Sequence, residues 1–124
     1  MQFFTFLGLS LLSASTMGQV KTVTPQQMNM DAKKVKASFL DVRTPQEWNK
    51  GHIQGAIHLD LFNDNFESEL KKLDKNKVYY VYCAIGGRSA EAGEMMIKMG
   101  FKNVYNMKGG FNAWTKAGLP ATAK

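Results

Sequence analysis

The 124-residue sequence holds a single cysteine, Cys83, and only two histidines. One thiol excludes an internal disulfide framework and any multi-cysteine metal site, leaving either structural filler or a reactive group. His52 and His58 lie six positions apart with Ile53 and Ile57 between them and no cysteine beside them, so no metal is expected. No motif requires a cofactor. Charge is missing from the first twenty residues: every Lys, Arg, Asp and Glu lies at or after Lys21. The apolar stretch Phe3 to Leu12 is too short for the ~20 residues that cross a bilayer. There is also no internal repeat, low-complexity tract or linker, so one folded unit is expected within the ~100–200 residues typical of a domain.

What is present divides at residue 18. Residues 1–18, MQFFTFLGLSLLSASTMG, have an apolar centre followed by small and polar residues, with Thr16 and Gly18 suited to a cleavage site before Gln19. A signal peptide over 1–18 is expected, with export to a periplasm or the exterior and no membrane span once it is removed. The n-region has no Lys or Arg, so only the α-amino group supplies positive charge there. The domain is then 19–124, with the sequence's net charge of +6. Its lysines are dispersed, which with export argues against nucleic acid as a partner and fits a field drawing in small anions. Nothing in the sequence sets the oligomeric state.

From Lys21 onward, short β-rich runs alternate with helical stretches, an α/β rhythm. Strands are expected at Val20–Val23, Ser38–Val42, Ala56–Leu59, Val78–Tyr82 and Asn103–Asn106. Thr24-Pro25 and Thr44-Pro45 are cap-plus-proline helix starts, and Glu47 completes a capping box with Thr44. The remaining helices are expected at Asn63–Lys72, Arg88–Met99 and Phe111–Ala117. The β-branched and aromatic run Val78–Tyr82 lacks polar alternation, as suits a strand buried on both faces at the sheet centre. The methionines read as core filling, and Trp48 and Trp114 as packing residues.

Cys83 ends that central strand, and Ala84, Ile85, Gly86, Gly87 and Arg88 lead into a helix. Ligands of open α/β sheets gather at the carboxyl ends of strands, and a helix N-terminus offers unpaired N–H groups. The two glycines let successive N–H groups converge on an anion, which should hold the thiol's pKa below the ~8.5 of a free thiol. A functional thiol is therefore favoured over a buried filler. The enzymatic reading depends on this thiol being open to water and ionised near neutrality; a thiol shut away from water, or of ordinary acidity, would overturn it.

Three blocks carry a family resemblance: FLDVRTPQEWNKGHIQGAIHLD from Phe39 to Asp60, VYYVYCAIGGRSA from Val78 to Ala90, and MGFKNVYNMKGGFNAW from Met99 to Trp114. In these the chain resembles the single-domain rhodaneses, the rhodanese-like sulfurtransferases. The resemblance implies a central five-stranded parallel sheet with helices on both faces. It implies that Cys83 accepts a sulfane sulfur as a persulfide and passes it on, with the N–H groups from Ala84 to Arg88 holding the substrate anion. The donor would be a small sulfur-containing anion, thiosulfate or a persulfide, and the acceptor a thiol or cyanide. Asp41, Arg43, Glu47 and His52 are expected to be structural supports, with Arg43 paired to Glu47, His52 bridging backbone groups and Arg88 bracing the loop. Cysteine phosphatases resembling this fold use Cys-x5-Arg, whereas this chain has Cys83-x4-Arg88, so a phosphatase or arsenate reductase is the weaker enzyme alternative. Ala84 departs from the arginine that follows the cysteine in many active rhodaneses, which removes a positive charge. It leaves a non-catalytic binding module as the other alternative. Redox sensing would require a resolving cysteine, which is missing.

Overall fold

In the computed structural model, which describes residues 19–124, ten elements alternate along the chain. They are β1 (Lys21–Val23), α1 (Pro25–Asp31), β2 (Ser38–Asp41), α2 (Pro45–Lys50), β3 (Ile57–His58), α3 (Phe66–Leu70), β4 (Val78–Tyr82), α4 (Gly87–Lys98), β5 (Asn103–Met107) and α5 (Gly110–Lys116). The expected signal peptide over 1–18 lies outside the described residues. No helix among those described is long and apolar enough to cross a membrane.

The strands form one five-stranded sheet in the order β1-β5-β4-β2-β3, and every pairing is parallel. β4 is central, and four of its five residues are buried. Alternation along β4 sends Tyr79 and Val81 to one face and Tyr80 and Tyr82 to the other. The first face packs Leu40 and Val104 against Phe66 and Leu70 of α3 and Ala92 and Met96 of α4. The second meets Met28 of α1 and Trp114 of α5. Helices therefore cover both faces, as expected.

Local chemistry sets the helix starts. Thr24 accepts from the Gln27 N–H, and Thr44 and Glu47 form the reciprocal capping box, each with proline in the first turn. The expected helix over Asn63–Lys72 shrinks to Phe66–Leu70 because side chains capture the backbone before it. Asp60 accepts from the Phe62 N–H and Asn63 from the Asn65 N–H, the local turns that compete with helix. The third strand shrinks likewise, from Ala56–Leu59 to two residues.

Candidate active site

Cys83 follows the last residue of β4, and α4 begins at Gly87, so the sulfur lies between a central strand and a helix N-terminus. The peptide groups of this loop divide their work. The carbonyls of Cys83 and Ala84 accept the N–H groups of Phe111 and Asn112, 2.8 and 3.1 Å away, and so satisfy the start of α5. The Gly86 N–H instead turns back onto the Cys83 Sγ at 3.0 Å. Gly86 takes φ +123°, a conformation that disfavours any Cβ.

Ser89, in the first turn of α4, places its Oγ 3.3 Å from the sulfur. The same hydroxyl lies 3.2 Å from the Gly86 carbonyl and 2.5 Å from the Asn106 Oδ1. Both Ser89 and Asn106 are buried. Burial pushes the pKa of the Cys83 thiol up, but the Ser89 hydroxyl and the N–H groups of Ser89, Gly86 and Ile85 outweigh it, and the pKa ends below its ordinary value. Charge-assisted hydrogen bonds to a thiolate are the physical cause. Of the N–H groups expected to converge from Ala84 to Arg88, that of Gly86 makes the close contact with sulfur, at 3.0 Å, and that of Ile85 also favours the anion.

The expectation that the thiol is open to water is wrong: Cys83 is 1% exposed, which counts against the enzymatic reading, while the lowered pKa counts for it. The sulfur packs with the core on the α4 face, and the Gly86 N–H and Ser89 hydroxyl close over it. Gly110 presses on the other side of the loop, where a Cβ would sit 2.5 Å from the Ala84 carbonyl carbon and oxygen. Ile85, by contrast, stands 71% exposed at the tip of the loop.

The supporting residues are brought together in a different pairing from the one expected. Arg43 does not pair with Glu47. It donates from Nε and Nη2 to the buried Asp41 carboxylate at 2.7 to 3.1 Å, and from Nη2 to the Gly51 carbonyl at 2.7 Å. Glu47 takes Arg88 instead, Nη1 to Oε1 at 2.8 Å and Nη2 to Oε2 at 2.9 Å. The reason is local: Asp41 and Arg43 are both buried, while the capping box holds the Glu47 Oε1 against the Thr44 N–H. The Arg88 guanidinium, with help from Thr44, holds the Glu47 carboxyl down at about 2 against its burial. Arg88 thus braces the loop against α2. His52 faces the Trp48 carbonyl through Nδ1 at 2.9 Å, and its backbone exchanges hydrogen bonds with Thr122. Trp48 is stacked between His52 and His58, at 3.4 and 4.7 Å between ring centroids.

Sequence reasoning missed Ser89 and Asn106. A signal existed for each. Ser89 stands three residues after Gly86, the spacing at which a serine hydroxyl reaches back to a backbone carbonyl. Asn106 is a polar residue in a buried strand, one register position from the end of β4.

Comparison with known proteins agrees with this architecture. The family model for the rhodanese-like domain matches residues 24–117. The chain is 33% identical over 117 residues to the probable adenylyltransferase/sulfurtransferase MoeZ of Mycobacterium tuberculosis; the match covers 93% of this chain and 30% of that relative's length. Among solved structures, a rhodanese-related protein from Thermoplasma volcanium superposes with a TM-score of 0.75 at 29% identity, covering 84% of this chain and 99% of that one. A Rhodopseudomonas palustris protein of unknown function, a possible tyrosine phosphatase, gives 0.69 at 28% identity, covering 83% of this chain and 85% of that one.

Proposed function

From the premise that the chain belongs to the rhodanese-like domain family, we propose that it is an exported sulfurtransferase working through a Cys83 persulfide. The observation that carries this reading is the Gly86 N–H and Ser89 hydroxyl trained on the sulfur, which favour its anionic form despite burial. In the first half-reaction the Cys83 thiolate attacks the outer sulfur of a donor. The new S–S bond forms as the donor's own S–S bond breaks, and the leaving sulfite or thiolate takes the electron pair. In the second, an acceptor thiolate or cyanide attacks the outer persulfide sulfur and the Cys83 thiolate leaves. The N–H groups that stabilise the resting thiolate serve it again as leaving group.

Charge argues for a donor less anionic than thiosulfate. The loop holds one cation, Arg88, and both of its outer nitrogens are committed to Glu47, while Ala84 adds none. A low-molecular-weight persulfide suits this loop better. The loop's four intervening residues and the outward bracing of Arg88 also weigh against phosphate ester chemistry.

A second reading is favoured by the covered sulfur and the exposed Ile85: a non-catalytic binding module that presents the loop tip to a partner. One experiment separates the two. Incubation with a glutathione persulfide or thiosulfate should add the mass of one sulfur atom to the intact protein, and Cys83→Ser should abolish both the adduct and transfer to an acceptor. A protein that takes up no sulfur from either donor, or a serine variant that still transfers it, overturns the enzymatic reading. Ala84→Arg should lower the KM for thiosulfate. Export is tested by the N-terminus of the secreted protein, expected at Gln19.

A further inference from the structure

A cavity of about 600 Å³ opens on the sheet face covered by α1 and α5, toward the amino end of β2 and away from the Cys83 loop. Its size falls in the ~300–1,000 Å³ range of small-molecule sites. Phe39, Ile53, Trp114 and Pro120 supply apolar walls. Trp114 is 2% exposed and its indole N–H is bonded to the Pro120 carbonyl at 2.8 Å, so it closes the floor of the cavity and offers no free donor. Phe39, half-buried, meets that indole edge-on at 5.3 Å between centroids and is the aromatic ring left at the wall.

The charge at this cavity has one sign. Lys33 and Lys36 line it, no carboxylate does, and neither lysine forms an ion pair among the described residues. The backbone at Lys36 is unusual as well. The Ala37 N–H bonds to the Ala32 carbonyl and the Lys36 N–H to the Lys33 carbonyl, the paired bonds of a Schellman turn closing the helical segment. Lys36 occupies its left-handed position at φ +52° and is the one described non-glycine residue with positive φ. Glycine is the common occupant there because it has no Cβ to strain. A lysine at that position costs stability and places a second ammonium beside the apolar walls.

We propose that this cavity binds a small organic anion with a flat apolar body, an aromatic carboxylate or its equivalent, with its ring against Phe39 and Pro120 above the buried Trp114 and its charge between Lys33 and Lys36. The site is separate from sulfur transfer and does not depend on it.

The probe is 2-naphthoate, titrated into the purified isotope-labelled protein and followed by amide and indole NMR shifts, with 2-naphthalenemethanol as its uncharged counterpart. Saturable shifts are expected at the Trp114 indole and at Ala37 to Phe39, with tighter binding of the acid than of the alcohol. Lys33→Ala and Lys36→Gly should each weaken the acid by about threefold, the scale of one partly exposed ion pair. Lys36→Gly should at the same time raise Tm, because glycine relieves the turn. Cys83→Ser should leave binding unchanged. Shifts confined to the Cys83 loop, no saturable shift, or equal affinity of the acid for the parent and the Lys33→Ala/Lys36→Gly double variant would each overturn the proposal.

Discussion

Ser89 has one hydroxyl proton and three acceptors within reach: the Cys83 sulfur, the Gly86 carbonyl and the Asn106 amide oxygen. With a neutral thiol, S–H donates to the hydroxyl and the hydroxyl serves Asn106. With a thiolate, the hydroxyl must serve sulfur. Ser89→Ala removes the largest influence favouring ionisation, so the thiol's pKa should rise. The rate of iodoacetamide alkylation against pH reads this directly. A purely structural serine would leave that profile in place. Cys83 and its loop were legible because a thiol between a buried strand and a glycine pair has few bland explanations. The sulfur's burial was not, because it depends on Gly110 and Ser89 arriving from other elements.

At the scale of elements, α2 is six residues long with no buried side chain, so its capping box and its tie to Arg88 matter more than packing. Thr44→Ala should cost about 1 kcal/mol in urea unfolding, the ordinary value of an N-cap, and should also loosen the Glu47–Arg88 contact. The start of α5 is held from the opposite side. Gly110 has φ +61° and no room for a Cβ, so Gly110→Ala must displace backbone at Ala84 and should destabilise by at least about 1–3 kcal/mol. Thermal unfolding, scored together with thiol reactivity, should show stability and site failing together. The capped helices and β4 were readable because their signals are local. The expected helix over Asn63–Lys72 was overstated because Asp60 and Asn63 spend their side chains on turns that periodicity does not register. The Arg43–Glu47 pairing failed for another reason: closeness in sequence says nothing of which carboxylate is buried beside which guanidinium.

At the scale of the whole molecule, the Glu47–Arg88 pair joins two helices that flank different strands, so its titration bears on global stability. Glu47 is held at about 2 in the fold, against an ordinary value of 4.5. The folded value is the lower one, so this contribution is complete above about pH 4.5 and drains away as the pH falls toward 2. Denaturant midpoints should therefore decline across that window, and Glu47→Gln should flatten part of the decline. Solvent screening of this partly exposed pair keeps the effect modest. The all-parallel order also joins the two ends of the domain, since β1 pairs with β5 and Lys21 meets Tyr105. A nascent chain emerging from the ribosome cannot fasten its first strand until its last has been synthesised. Distant pairings of this kind slow folding, so the sheet closes only after the last strand has left the ribosome.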